Sequence, residues 1–103
     1  MNENRPDVFE ETETFSEDQT KEPEMYKVLL HNDDYTTMDF VIEILMVVFL
    51  KDFQEATRIM LDVHRQGAGL CGVYPHEIAE TKVETVHVLA RENGFPLKCS
   101  MEI

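Results

Sequence analysis

The pattern of apolar and polar positions changes at Met25. Before this residue polar and acidic side chains predominate, whereas after it apolar side chains recur with the spacing of strands and helices. In the segment MYKVLLH, residues 25–31, alternate positions are occupied by Tyr26, Val28 and Leu30. This alternation predicts a strand that turns these three side chains toward one face.

Two helices are predicted next, and the first is unusually apolar. It covers 37–50, with Thr36 as its N-cap and Asp39 in the position that completes a capping box. From 40 to 50 only Glu43 is polar, whereas the apolar stripe of a surface helix covers about a third to a half of its circumference. The helix is therefore interpreted either as a central core helix or as one whose surface lines an open pocket or meets a partner.

The second helix is predicted between an N-cap at Asp52 and a C-terminal stop at Gly67. Its apolar stripe includes Met60 and Val63 and also contains His64. A histidine in such a stripe is more often a core or helix-end residue than a ligand, but its ring nitrogen can also serve a binding site. Both interpretations of His64 stay open at this point.

The remaining sequence predicts two strands and one helix. The segment GLCGVYP, residues 69–75, is short, apolar and rich in glycine, which indicates a strand. Pro75 fits the first turn of a third helix that ends at Gly94, and from Leu97 onward apolar and polar side chains alternate as in a strand. The order strand-helix-helix-strand-helix-strand indicates an α+β domain in which one three-stranded sheet packs against three helices.

Composition excludes several classes of partner. The net charge is −12, with 9 basic residues among 21 acidic ones, so binding to nucleic acid or to an anionic membrane surface is not expected. The longest apolar run, 44–50, is far shorter than the ~20 residues that span a bilayer. The start of the chain also lacks the features of a signal peptide. We therefore expect a cytoplasmic protein.

The first part of the chain differs from the rest in charge. Residues 1–24 contain nine acidic side chains, two basic ones and few apolar ones. A segment of this composition buries too little apolar surface to offset the entropy lost on ordering it. The prediction is therefore a flexible acidic N-terminal extension over 1–24, followed by a core domain over 25–103.

The sequence shows no pattern typical of a metal site or a nucleophile. Cys71 and Cys99 are far apart and are interpreted as reduced, buried thiols. The His, Cys and Asp residues lack zinc-ligand spacing, and NDDYTT lacks the glycine and alternating ligands of a calcium loop. Hydrolysis by Asp34 and His64 is an alternative, but no elbow serine, activated cysteine or phosphate-binding glycine loop accompanies them. We therefore expect no metal, no cofactor and no enzymatic activity.

Three polar residues, Asn32, Asp33 and Asp34, follow the first strand directly. One explanation is structural: these residues form an Asx-type turn, and their carboxylates are favoured near the first turn of the helix by the helix dipole. The other explanation is a site that captures a cation. If the alternation of the strand continues, Asn32 and Asp34 share the face of Leu30, while Asp33 points elsewhere. An amide oxygen and a carboxylate next to apolar side chains suit a primary ammonium group attached to a hydrophobic body.

Four segments, YKVLLHNDDYTTMDFV, MLDVHRQGAGLCGVY, EIAETKV and ARENGFPLKCSMEI, closely resemble the ClpS family, the bacterial adaptors of the ClpAP protease in the N-end rule (N-degron) pathway. The resemblance extends from Met25 to the end of the chain. It implies a three-stranded antiparallel sheet with three helices. It also implies a monomeric adaptor that binds proteins beginning with Leu, Phe, Tyr or Trp and delivers them to the ClpA unfoldase for degradation.

The same resemblance implies roles for individual residues. The substrate's α-amino group would contact Asn32, Asp33, Asp34 and His64. The hydrophobic pocket for the first side chain would be lined by Leu30, Thr36, Met38, Val41, Met60, Val63 and Leu97. Met38 matches a gatekeeper that excludes β-branched first residues, and Thr37 stands where the family usually has proline. Docking on the ClpA N-terminal domain would use Glu77 and Lys82, and the acidic extension resembles one that the unfoldase pore engages.

Overall fold

The computed structural model describes residues 23–103, so the extension predicted over 1–24 lies almost entirely outside the described residues. In chain order the elements are β1 (Met25–His31), α1 (Met38–Val47), α2 (Phe53–Gln66), β2 (Ala68–Pro75), α3 (His76–Glu92) and β3 (Lys98–Glu102). This order is the one that the sequence predicts.

The three strands form one antiparallel sheet with β1 in the centre, in the order β2-β1-β3. The alternation in β1 has the predicted effect, because Val28 and Leu30 are fully buried while the intervening positions are more exposed. The pairing of β1 with β2 shifts register after Val28, and the extra residue on β2 is Cys71. The predicted fold class, a three-stranded antiparallel sheet with three helices, is confirmed.

All three helices contribute side chains to a single core over one face of the sheet. The most deeply buried of these are Ile44 and Leu45 from α1, Ile59 from α2 and Val86 from α3. Burying each such side chain stabilises the fold by about 1.5–3 kcal/mol. The apolar composition of α1 is only partly explained by this core, because other apolar side chains on the same helix, such as Met46, remain exposed.

A glycine brings α2 unusually close to the sheet. A Cβ atom at Gly69 on β2 would lie 2.7 Å from Cγ2 of Val63 and 3.1 Å from the carbonyl oxygen of Ile59. The ordinary separation between non-bonded carbon atoms is about 3.5–4.0 Å. Only a residue without a side chain therefore allows α2 to pack at this distance, and this packing fixes the positions of the other side chains on α2.

The helix ends match the sequence predictions with one exception at α1. Asp52 caps α2 by accepting a hydrogen bond from the Glu55 N–H at 2.8 Å, and Gly67 ends it with φ 91°, as predicted. The predicted N-cap of α1 at Thr36 is wrong. Thr37 caps this helix, because its hydroxyl accepts from the Phe40 N–H at 3.1 Å.

The ends of α1 and α3 differ slightly from the predicted boundaries. α1 ends at Val47 rather than at Leu50, and Leu50 itself adopts a positive φ of 57° while 80% exposed. Pro75 is the N-cap of α3 rather than part of its first turn. The left-handed Gly94 follows directly after the Asn93 C-cap, which accounts for the predicted end of this helix.

Candidate functional site

The loop between β1 and α1 is anchored to the C-terminal end of α2. The Asn32 N–H donates a hydrogen bond of 2.9 Å to the carbonyl oxygen of Gly67, the glycine that stops α2. Because His64 lies in the last turn of α2, this bond brings the start of the loop next to the histidine. A strand end, a loop and a helix end therefore meet at one place.

Asp33 organises the loop itself. Its carboxylate accepts hydrogen bonds from the Tyr35 N–H at 2.8 Å, the Thr36 N–H at 2.7 Å and the Thr36 hydroxyl at 2.7 Å. Partial desolvation of Asp33 would raise its pKa, but these hydrogen bonds outweigh it and lower the pKa below its ordinary value. This geometry is the turn that the sequence suggested, and Asp33 is the carboxylate that forms it.

Asn32 and Asp34, the two neighbours of Asp33, are not used in this way. Both are exposed, and within residues 23–103 no side chain or backbone group hydrogen-bonds to either side chain. The same holds for the ring of His64 among these residues. Three polar groups with free hydrogen-bonding capacity are thus available to a ligand.

A cavity of about 270 Å³ opens between this loop, the N-terminal turn of α1 and the C-terminal half of α2. Its polar wall and its apolar wall are formed by Asn32, Asp33, Asp34, Thr36, Met38, Val41, Met60, Val63 and His64. Val41, Met60 and Val63 are buried, whereas Met38 is 45% exposed and lies at the mouth. The cavity therefore combines a carboxylate-bearing rim with an apolar interior.

The structure brings together nine of the eleven residues expected at the amine site and the hydrophobic pocket. The other two, Leu30 and Leu97, are 0% and 3% exposed and belong to the core. They are absent from the wall of the cavity. Leu30 lies on the central strand of the sheet.

The two residues expected to dock on an unfoldase lie on α3, outside the cavity. Glu77 is exposed in the first turn of α3. Lys82 is partly buried, and its ammonium donates a hydrogen bond of 2.8 Å to the carbonyl oxygen of Val48, the C-cap of α1. The same ammonium lies 5.8 Å and 5.3 Å from the ring centroids of Phe49 and Tyr74. Lys82 therefore also holds the end of α1.

A second cavity, which the sequence analysis did not foresee, lies on the other side of residues 32–34. In addition to residues 32–34, this cavity is lined by His31, Tyr35, Pro96 and Lys98, and its volume is about 470 Å³. These residues come from both ends of the core domain. The pairing of β1 with β3 that unites them has no local sequence signal.

The two cysteines are buried and separated by the central strand. Burial raises the pKa of the Cys99 thiol to about 12 and also raises the pKa of Cys71. Because β1 lies between their strands, their backbones are about 9.5 Å apart, beyond the ~7 Å at which a disulfide can form. Within residues 23–103, no group of three or more His, Cys, Asp or Glu side chains is arranged to hold a metal ion.

No helix among residues 23–103 is both long and apolar enough to cross a membrane. An α+β domain of this size, with a cavity that joins an acidic rim to an apolar interior, has the form of a small binding module. Comparison with known proteins identifies the family to which this module belongs.

The family model described as "ATP-dependent Clp protease adaptor protein ClpS" matches residues 21–100. The ClpS adapter of Syntrophus aciditrophicus is 62% identical over 86 residues, which cover 84% of this chain and 80% of that protein. The ClpS adapter of Nitratidesulfovibrio vulgaris is 58% identical over 97 residues, which cover 94% and 97% respectively. The chain belongs to the ClpS family of adaptors for the ATP-dependent Clp protease.

A solved structure shows the same fold with a ligand. The structure of Agrobacterium tumefaciens ClpS2 bound to L-phenylalaninamide is 41% identical in sequence and has a TM-score of 0.76. The match covers 79% of this chain and 98% of that one.

Proposed function

We propose that this adaptor binds the free α-amino group and the bulky hydrophobic first residue of substrate proteins, namely Leu, Phe, Tyr or Trp. The observation that carries this proposal is the 270 Å³ cavity, in which free polar groups face an apolar interior. Asn32, Asp34 and His64 bind the ammonium, and Met60 and Val63 contact the side chain. Asp33 supports the site by holding the loop.

The polar rim explains how an N-terminal residue is distinguished from an internal one. An α-ammonium group satisfies the carboxylate of Asp34 with a charge-assisted hydrogen bond, which is about twice as strong as a neutral one. An internal or acetylated residue offers no such cation and leaves Asp34 without a partner. Asp34 is exposed in the free protein, but a bound peptide covers it. A polar group that is covered without a partner costs about 1–3 kcal/mol, and a charged one costs more. Capture of an N-terminal amine by a polar cluster is a general mode of peptide recognition.

The size of the cavity supports the choice of side chain. An apolar cavity of about 150 Å³ accommodates benzene, so 270 Å³ has room for an aromatic or leucine side chain together with its ammonium. Met38 narrows the mouth of the cavity. Branching at Cβ would bring the second methyl group of Val or Ile against this side chain, which disfavours β-branched first residues. The relative bound to L-phenylalaninamide carries a ligand of the same chemistry, a free α-amine beside a benzyl group.

The proposed function also includes delivery of the bound substrate to an unfoldase. The adaptor, as a cytoplasmic monomer, docks on the N-terminal domain of ClpA through the start of α3 and hands its substrate to the unfoldase for degradation by ClpAP. Glu77 is the docking residue whose exposed carboxylate has no hydrogen-bond or ion-pair partner among residues 23–103, whereas Lys82 is already bonded to Val48. This proposal rests on family membership and on the resemblance of the EIAETKV segment.

Fluorescence anisotropy with labelled peptides tests substrate binding. A peptide that begins with Phe should bind, and its acetylated form and a form that begins with Val should bind at least tenfold more weakly. Asp34→Asn should weaken binding of the Phe peptide by a similar factor. Asp39→Asn is the matched control, because it removes an exposed carboxylate from the first turn of α1 but outside the cavity. Equal binding of free and acetylated peptides would refute the role of the amine.

Binding of the purified ClpA N-terminal domain, measured by calorimetry, tests delivery. Glu77→Ala should weaken this binding and leave peptide binding unchanged. Glu92→Ala is the control, because it removes an exposed acid from the same helix about 22 Å farther along its axis. If Glu77→Ala and Glu92→Ala bind the ClpA domain equally well, the start of α3 is not the docking surface.

A further inference from the structure

The second cavity, called here the Lys98 groove, shares its wall with the first. It is lined by His31, Tyr35, Pro96 and Lys98 together with residues 32–34, which also line the first cavity. The same three residues therefore face the proposed amine site on one side and the groove on the other. A chain held by its first residue has this groove directly beside it.

The register of the sheet explains why Lys98 faces the groove. His31 on β1 pairs directly with Lys98 on β3, and the neighbouring pair is Leu30 with Cys99. Since Leu30 and Cys99 point into the core, alternation turns His31 and Lys98 to the opposite face of the sheet. A hydrogen bond of 2.6 Å between Nε2 of His31 and Oγ of Ser100 holds the histidine on that face.

The phenol of Tyr35 faces the groove, and so do four other titratable or charged side chains: His31, Asp33, Asp34 and Lys98. Asp33 already accepts three hydrogen bonds from its own turn, and Asp34 is neutralised when the substrate's ammonium binds. His31 is bonded to Ser100. In the part of the chain that the structure describes, Lys98 forms no ion pair. With substrate bound, Lys98 is the charged side chain of the groove that has neither an ion pair nor a side-chain hydrogen bond within residues 23–103.

We propose that the Lys98 groove receives the second and third residues of the bound substrate, and that Lys98 favours a carboxylate side chain among them. This inference rests on the proposed binding of an N-terminal residue in the first cavity. The first side chain fills the apolar interior and its amine contacts the shared wall, so the rest of the chain leaves over that wall. Each further residue advances an extended chain by about 3.3 Å, which brings residues two and three over the groove.

The test compares peptides that begin with Phe and carry Glu, Gln or Lys at position two or at position three. For an exposed ion pair, the wild-type protein should bind the Glu peptide about two- to fivefold more tightly than the Lys peptide at one of these positions. Lys98→Glu should reverse the order, and Lys98→Met should lose the preference for the Glu peptide over the Gln peptide. High salt, about 1 M, should abolish the preference because it screens exposed charges.

The matched control is Lys27→Glu, which makes the same charge change on the same face of the sheet. Lys27 is exposed on β1, about 13 Å from His31, and does not line the groove. This variant should keep the wild-type preference, and circular dichroism should show the same fold for every variant.

Two failures can be told apart. If Phe peptides do not bind, or bind equally well when acetylated, the proposed function fails. If they bind through their amine but show no preference at positions two and three, or show one that Lys98→Glu leaves unchanged, the function stands and the role of the groove is refuted.

Discussion

Adding one methyl group at Gly69 should push α2 away from the sheet and open the proposed binding site. The Cβ of an alanine here would lie 2.7 Å from Cγ2 of Val63 and 3.1 Å and 3.3 Å from the backbone oxygen and Cγ2 of Ile59. Because one of these atoms belongs to the helix backbone, the strain cannot be relieved by a side-chain rotation alone. The helix must move by roughly 1 Å to restore contacts of about 3.5–4.0 Å.

The energetic cost of Gly69→Ala follows from two opposing effects. Overpacking of this kind costs about 1–3 kcal/mol, and the lower entropy of alanine in the unfolded chain returns about 0.4–1 kcal/mol. A net destabilisation of about 1–2 kcal/mol remains, which lowers the melting temperature by roughly 4–16 °C for a domain of this size. Because Met60, Val63 and His64 move with α2, affinity for a Phe peptide should fall about tenfold, equivalent to ~1.4 kcal/mol.

Thermal unfolding followed by circular dichroism and peptide anisotropy measure the two effects of Gly69→Ala. Gly72→Ala is the control on the same strand, because the added Cβ would meet the side chain of Tyr74 rather than α2. It should leave peptide affinity unchanged. If Gly69→Ala kept both the wild-type melting temperature and the wild-type affinity, the close packing of α2 on β2 would not be what positions the site.

Three further substitutions test the loop and the ends of α1 by urea unfolding. Asp33→Asn should destabilise the domain by about 1–2 kcal/mol at pH 7. Because the folded-state pKa of Asp33 is lowered, its contribution to stability is lost as the pH falls below about 4, toward the folded pKa. The difference in stability between the variant and the wild type should therefore shrink as the pH is lowered below about 4, and a constant difference would contradict this. Leu50→Gly should stabilise the domain by about 0.5–1 kcal/mol, because glycine adopts a positive φ without the strain that an exposed leucine has there. A loss of stability would show that the leucine side chain itself stabilises the fold. Lys82→Met should destabilise the domain by about 1–2 kcal/mol, because it removes the hydrogen bond to Val48 and the contacts with the rings of Phe49 and Tyr74. An unchanged urea midpoint would indicate that Lys82 does not hold the end of α1.

Local patterns were sufficient to predict most of the fold. The alternation at Val28 and Leu30 reflects a direct physical requirement, since one face of the strand must be buried. Asp52 and Gly67 were predicted correctly because a cap depends on a few neighbouring residues. The choice between Thr36 and Thr37 failed because either threonine can cap the helix, and the outcome depends on Asp33 taking the Thr36 hydroxyl.

The candidate site was less accessible to sequence reasoning. Local spacing placed Asn32 and Asp34 on one face but left their role open, and it was family resemblance that joined them to Met60 and His64 across the fold. Leu30 was expected in the pocket but is buried in the core, because a central strand is covered on its whole inner face. The Lys98 groove depends on pairing between strands from opposite ends of the core domain, which no local pattern encodes.

The two buried thiols make this adaptor convenient for chemical labelling. Only a thiolate reacts at a useful rate, and burial keeps Cys71 and Cys99 protonated at neutral pH. A new cysteine at an exposed position such as Glu92 would therefore react with a maleimide dye while the native thiols stay in place. Fluorescence changes on peptide or ClpA binding could then be followed in the otherwise unmodified sequence, without first replacing core residues and weakening the domain.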